Sequence, residues 1–259
     1  MANSINTNAG ALIALQNLNA TNRDLNVTQN RVNTGFKIST AKDNGAIFAI
    51  ATNQRAEMGA LDAVKQSMQR GQSMVDVALA AGETVVAALT EMKSLAVAIE
   101  GTDTNSTATL AALQADFAAL QEEITAALAG ANFDGANLWD GEQAVLTSTD
   151  ATTGSVQIGL ASAADVSAVG ETAADVTTAI ENFTADLATL GTQSKSLERQ
   201  ITFTSKMQDA LEVGIGNLVD ADLAKESARL TALQTKQQLG VQALSIANQS
   251  SSILLGLFR

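Results

Sequence analysis

The sequence contains no cysteine, histidine, proline or tyrosine, and aromatic residues make up 3% of its 259 positions. Without cysteine there is no disulfide, no thiol nucleophile and no thiolate metal ligand. Without histidine there is no imidazole base for a catalytic triad and no His-based zinc site. Without proline nothing strips a backbone donor from a helix interior, so helices can run long. A compact globule of this length would carry more aromatic bulk in its core. The 46% hydrophobic content, much of it alanine, the strongest helix former, points instead to an elongated bundle with alanine layers.

Cations are missing from one long stretch. No Lys or Arg lies between Lys93 and Lys195, while fourteen carboxylates do; the rest of the chain holds all 15 basic and 13 acidic residues. The formal charge of −12 is therefore concentrated in an anionic middle between nearly neutral ends. Nucleic acid is excluded as a partner because phosphate contacts need a basic footprint. No continuous run of 18 apolar residues occurs, and Met1-Ala-Asn-Ser-Ile-Asn-Thr-Asn8 is no basic, apolar leader, so neither a membrane partner nor a cleaved signal peptide is expected.

Chemistry-bearing constellations are few. Glu122-Glu123, and Asp220 with Asp222, are carboxylate neighbours, but adjacent carboxylates diverge on a helix and belong to solvated surface or caps. No glycine-rich loop precedes Lys-Ser or Lys-Thr. No catalytic residue, metal site or cofactor is expected.

Periodicity supplies the architecture. Apolar or small residues step by three and four through Ile47, Ile50, then past Gln54 and Glu57 through Leu61, Val64, Met68, Gly71, Val75, Ala78, Gly82, Val85, Leu89, Met92, Ala96 and Ile99. A second seam runs from Leu110 through Phe117 to Ala127, and a third from Val176 through Phe183, Leu190 and Leu197 to Leu218. Thr40-Ala-Lys-Asp43 and Thr172-Ala-Ala-Asp175 predict helix starts of capping-box type, and Gly35 predicts the end of the first helix. Asp134-Gly135, Asp140-Gly141 and the alternation of Val156, Ile158 and Leu160 with polar or small residues predict a hairpin region, with Trp139 packing it onto the bundle. The expected fold is mainly α: an elongated antiparallel helical bundle with long coiled-coil-like terminal helices and a small β-hairpin region.

The ends carry their own seams. Ala11, Leu15, Leu18, Asn22, Leu25, Gln29 and Val32 keep heptad spacing, with polar residues at two positions that can select register. After Asn217–Asp222 the apolar stripe shifts to Leu223, Leu230, Leu233, Gly240, Leu244, Ala247, Leu254 and Phe258, so the helix is expected to break or change partners there. The tail stays apolar to its penultimate residue. Burying Ile246, Ile253, Leu254, Leu255, Leu257 and Phe258 would gain roughly 9–18 kcal/mol, whereas ordering the last seventeen residues costs on the order of 25 kcal/mol. Another copy of the chain is the economical cover.

Several linked motifs resemble bacterial flagellin. They are Ile5-Asn-Thr-Asn8, Arg31-Val-Asn-Thr-Gly-Phe-Lys-Ile-Ser-Thr-Ala-Lys-Asp-Asn-Gly-Ala46, Leu95-Ala-Val97, Phe133-Asp-Gly135 with Asn137-Leu138, Asp220-Ala-Asp-Leu-Ala-Lys-Glu226, Gln242-Ala-Leu-Ser-Ile-Ala-Asn248 and Leu254-Leu-Gly-Leu-Phe-Arg259. The resemblance covers about residues 1–140 and 172–259. It implies a homopolymeric filament subunit for swimming motility, with an inner terminal-helix domain of residues 1–40 and 222–259. A helical shell would comprise 41–130 and 172–221, and a small surface-exposed region 131–171. The assembly interface would comprise Leu15, Leu18, Leu25, Val32, Leu223, Leu230, Leu244, Ile253, Leu254, Leu257 and Phe258, in terminal helices that fold on assembly. Thr147, Ser148, Thr149, Thr152, Thr153 and Ser155 would be candidates for O-glycosylation. Hook-associated junction and cap proteins, the flagellar export machinery and a chaperone would be further partners, and the product would be extracellular. Where many flagellins carry a basic Gln-Arg-x-Arg-Glu stretch read by an innate immune receptor, this chain has Thr90-Glu-Met-Lys-Ser94, with Glu91 in place of an Arg. A hook–filament junction protein, which stops at a short stack, and a helical-hairpin surface adhesin are the alternatives.

Overall fold

A computed structural model describes residues 8–103, 105–150, 154–166 and 169–257, with side chains described as far as residue 249 in the last helix. Among them are helices α1 (Ala9–Thr34), α2 (Gly45–Gly101), α3 (Thr107–Gly130), α4 (Ala173–Val219) and α5 (Leu223–Leu257). Two antiparallel hairpins lie between α3 and α4: β1 (Asn132–Phe133) with β2 (Ala136–Asn137), and β3 (Gln143–Leu146) with β4 (Ser155–Ile158). The fold is mainly α, as the periodicity predicts. Two compact units form, Met1–Ala56 with Leu211–Arg259 (unit 1) and Glu57–Ala210 (unit 2).

Unit 2 is built on the long seams. From α2, Val64, Met68, Val75, Ala78, Val85, Leu89, Met92 and Ala96 enter one core with Phe117 and Ile124 of α3 and Val176, Phe183, Leu190 and Leu197 of α4. By length and composition α2 could cross a membrane, and its buried apolar positions in this unit line the bundle's own core. The small seam residues have a purpose. A Cβ on Gly71 would stand 2.7 Å from Cγ2 of Val145, and one on Gly82 would stand 3.1 Å from Cζ2 of Trp139. The hairpin region thus presses onto α2 where α2 has no side chain. Trp139 stacks on Phe183, centroids 4.6 Å apart and planes 7° from parallel, and its Nε1 donates to the Ala78 carbonyl at 3.0 Å. With Val145, Leu138 and Ile158 also buried, the hairpins complete the core on one side, while Ala144, Leu146, Ser155 and Gln157 of the second hairpin are exposed.

Local chemistry explains the boundaries, including two that differ from expectation. Asp134 and Gly135 both have positive φ, 54° and 82°, which makes the β1–β2 turn a two-residue type I′ turn. Asp140 also lies in a turn, its N–H donating to the Asn137 carbonyl at 3.3 Å, but this turn leads into β3 and joins no pair of strands. Thr172 caps α4 as expected, its Oγ1 accepting from the Asp175 N–H at 3.1 Å while donating to the Asp175 carboxylate at 2.6 Å. Thr40 does not cap α2. Asp43 turns back to Ser39 and Thr40, and the cap passes to Asn44, whose Oδ1 accepts from the Ile47 N–H at 3.2 Å. The start of the α2 seam also corrects the expected one. Ile50 and Glu57 are exposed, and the buried stripe runs Ile47, Ala51, Gln54, Met58, Leu61. Small Ala51 fits against Ile215 and Val219, so the three/four step falls there.

Candidate functional site: the terminal helix pair

In unit 1, α1 and α5 pack against each other in antiparallel register. The residues facing across the pair include Leu18, Thr21, Leu25 and Thr28 of α1, and Glu226, Leu230, Leu233, Gln237, Gly240 and Leu244 of α5. Steps of four and three along α5 make this a heptad face in which two positions are polar. Those positions, with Asn8 at the chain's start, form three hydrogen-bonded rungs. Arg31 Nη1 donates to Glu226 Oε1 at 3.1 Å, Gln237 Nε2 to Asn22 Oδ1 at 2.8 Å, and Asn8 Nδ2 to the Ala247 carbonyl at 2.7 Å. Gly240 allows close approach, since a Cβ there would stand 3.2 Å from Leu18 Cδ1.

Both ends of α1 are well terminated. Asn8 Oδ1 accepts from the Ala11 N–H at 3.0 Å, and Gly35 adopts the left-handed conformation with φ 75° and donates to the Arg31 carbonyl. Beyond Gly35 the chain pairs with the break between α4 and α5. The Lys37 N–H donates to the Val219 carbonyl at 2.6 Å, and the Ala221 N–H to the Gly35 carbonyl at 2.8 Å, around a Phe36–Asp220 bridge. The break falls at Asp220–Asp222, where the stripe rotates, and Asp222 Oδ1 caps α5 through the Lys225 N–H at 3.1 Å.

The interface residues expected from the sequence divide in two. Leu18, Leu25, Val32, Leu230 and Leu244 turn into the pair, while Leu15 and Leu223 are exposed. The side chains of Ile253, Leu254 and Leu257, and all of Phe258, lie outside the described residues. Seam counting passes over a second set. Leu12, Ile13, Val27, Leu239 and Val241, with Ile246 of the tail, are large apolar residues pointing away from the seam into open space. Their signal was present: Leu239 and Ile246, one heptad apart, start a second stripe on a helix that already has one. Among the hydroxyls of the 147–155 loop, Thr147 donates to the Gly154 carbonyl at 3.0 Å and Ser148 accepts from the Asp150 N–H at 3.3 Å, whereas Thr149 and Ser155 are exposed. Thr152 and Thr153 lie outside the described residues.

Charge divides between the units. Unit 1 holds nine Lys/Arg and six Asp/Glu, a formal +3, and unit 2 holds six and twenty-one, a formal −15.

Residues 5–144 match the family model of the bacterial flagellin N-terminal helical region, and residues 173–258 that of the bacterial flagellin C-terminal helical region. The chain belongs to the bacterial flagellins. It is 52% identical to flagellin FljM and 51% identical to flagellin FljK of Caulobacter vibrioides, each alignment covering 99% of both chains. It is 38% identical to a flagellin of Brucella melitensis, again across 99% of both. As a flagellin it is a structural subunit that assembles with its own copies into the flagellar filament, exported to the cell exterior. The two matched regions contain both helices of the terminal pair and leave only 145–172, most of the second hairpin and the loop before α4, between them.

Proposed function

We propose that α1 and α5 of this flagellin are its polymerisation surface and become stably ordered when neighbouring copies cover them. One observation carries this reading. The pair buries its own seam yet leaves Leu12, Ile13, Leu15, Leu239, Val241 and Ile246 between 43% and 63% exposed. Helices apolar on several faces need cover on several sides. Burying what remains exposed of those six would add roughly 5–10 kcal/mol to association, set against the ordering cost of segments that fold on binding. Leu15 and Leu223 would then contact neighbouring copies, while Leu18, Leu25, Val32, Leu230 and Leu244 hold the pair together, and Ile253, Leu254, Leu257 and Phe258 extend the covered surface to the tail.

In the filament, residues 1–40 and 222–259 would form the inner layer, 41–130 and 172–221 the shell, and 131–171 the outer face, where Thr149 and Ser155 are accessible for glycosylation. The same terminal surface would meet hook-associated junction and cap proteins at the filament ends, and a chaperone and the export machinery before assembly. Export would proceed without a cleaved signal, and the subunit would have no catalytic activity. Deleting residues 243–259 tests the core of this reading. Thermal unfolding of unit 2 should be unchanged while sedimentable filaments disappear; filaments of normal stability from the truncated chain would refute it.

A further inference from the structure

The segment joining α1 to α2 forms a cleft of about 500 Å³, with Phe36, Lys37, Thr40, Lys42 and Asp43 in its lining. Its charged groups are used differently. Arg31 is paired with Glu226, and Arg55 lies over the Phe36 ring, 5.5 Å from its centroid. The Asp43 carboxylate is taken up by the N–H and hydroxyl groups of Ser39 and Thr40. Lys37 and Lys42 are exposed and hold no ion pair among the described residues. Together these two ammonium groups outweigh the single Asp43 carboxylate of the same lining, which leaves the cleft net positive.

Unit 2 presents the complement. Its formal charge is −15, and Asp134 is paired with Arg70. On α3, Asp116, Glu122 and Glu123 are exposed and hold no ion pair among the described residues. Copies packed side by side in a filament bring bodies of charge −15 together, and like charges in proximity oppose assembly unless cations lie between them.

We propose that in the filament the Lys37–Lys42 cleft of one copy receives exposed unit 2 carboxylates of a neighbouring copy. This rests on the assembly reading above and adds to it a polar contact separate from the apolar terminal pair. In a filament, where each copy meets the next by the same operation, such a contact is heterologous and propagates from copy to copy.

The test uses the full-length chain, seeded polymerisation and sedimentation to obtain the critical concentration. Lys37→Glu/Lys42→Glu is compared with the unaltered chain at about 50 mM and about 0.5 M NaCl, between which the screening length falls from more than 10 Å to about 4 Å. The variant's critical concentration should rise about tenfold at low salt and come within about twofold of the unaltered chain at high salt. A charge-matched control, Lys195→Glu/Lys206→Glu, changes two exposed lysines of unit 2 and should shift it by less than about twofold at either salt. Unchanged melting of unit 2 in both variants confirms that they fold. Assembly of the cleft variant at the normal concentration in low salt overturns the proposal. So does a defect undiminished by salt, or an equal shift in the control. Failure of the unaltered chain to form filaments at all would refute the assembly reading and this contact with it.

Discussion

The Asp43 carboxylate accepts hydrogen bonds from the Thr40 N–H and hydroxyl, both at 3.0 Å, and from the Ser39 N–H at 3.2 Å. The Thr40 N–H first, then the Thr40 hydroxyl and the Ser39 N–H, hold it below the ordinary value of 3.8. A carboxylate with a depressed folded value stabilises its turn above the unfolded value, and the contribution is lost as pH falls below 3.8 and through the lower folded one. Titration of the Asp43 carboxyl by NMR should therefore give a midpoint under 3.8, moving up toward it in Thr40→Val. A midpoint at or above 3.8 in the unaltered chain would show that these bonds do not form in solution. The same residue shows why one helix start was legible in the sequence and another was not. Thr40-Ala-Lys-Asp43 and Thr172-Ala-Ala-Asp175 have the same spacing, and only the second is a cap. The difference lies one residue on, where Asn44 supplies a side-chain acceptor of its own and frees Asp43 to turn back.

At the scale of elements, the seams were readable wherever packing is purely apolar, because three/four spacing is all that such a face requires. The long runs in α2 and α4 lie where the periodicity puts them. Reading weakened where a seam uses small or polar residues: Ala51 for Ile50, and Glu226 and Gln237 in α5. Apolar counting skips such positions, yet they hold the register of the terminal pair. Glu226 is buried, with Oε1 on Arg31 and Oε2 lacking a hydrogen-bond partner, so its charge is balanced by one guanidinium. Removing one member of such a pair costs about 3 kcal/mol, whereas replacing both with apolar groups is close to neutral. Filaments of Arg31→Met should thus dissociate at clearly lower temperature, and Arg31→Met/Glu226→Leu should recover most of the loss. A double variant as weak as the single one would mean that the ionic contact itself, not relief of an unpaired carboxylate, stabilises the pair.

For the whole molecule, the separation of roles follows from where each kind of surface remains after the chain has folded. Unit 2 satisfies its apolar seams internally and keeps a dense anionic surface, which dissolves a single copy and resists unguided aggregation. Unit 1 is close to neutral and keeps apolar side chains on faces its own helices do not cover. The partner that covers them is absent from a single chain, so the sequence could show that a second stripe exists but not what it meets. Leu239 and Ile246 isolate this contribution, since both lie off the seam, about 60% exposed, and neither touches the polar cleft. Leu239→Asn/Ile246→Asn removes their apolar burial in the filament, roughly 2–4 kcal/mol per subunit, and should raise the critical concentration roughly thirtyfold or more. Because hydrophobic burial is not screened by sodium chloride, the increase should be similar at low and high salt. Unit 2 should melt as before. A critical concentration within about twofold of the unaltered chain would place the growing contact elsewhere, and a defect that disappears at high salt would make it electrostatic.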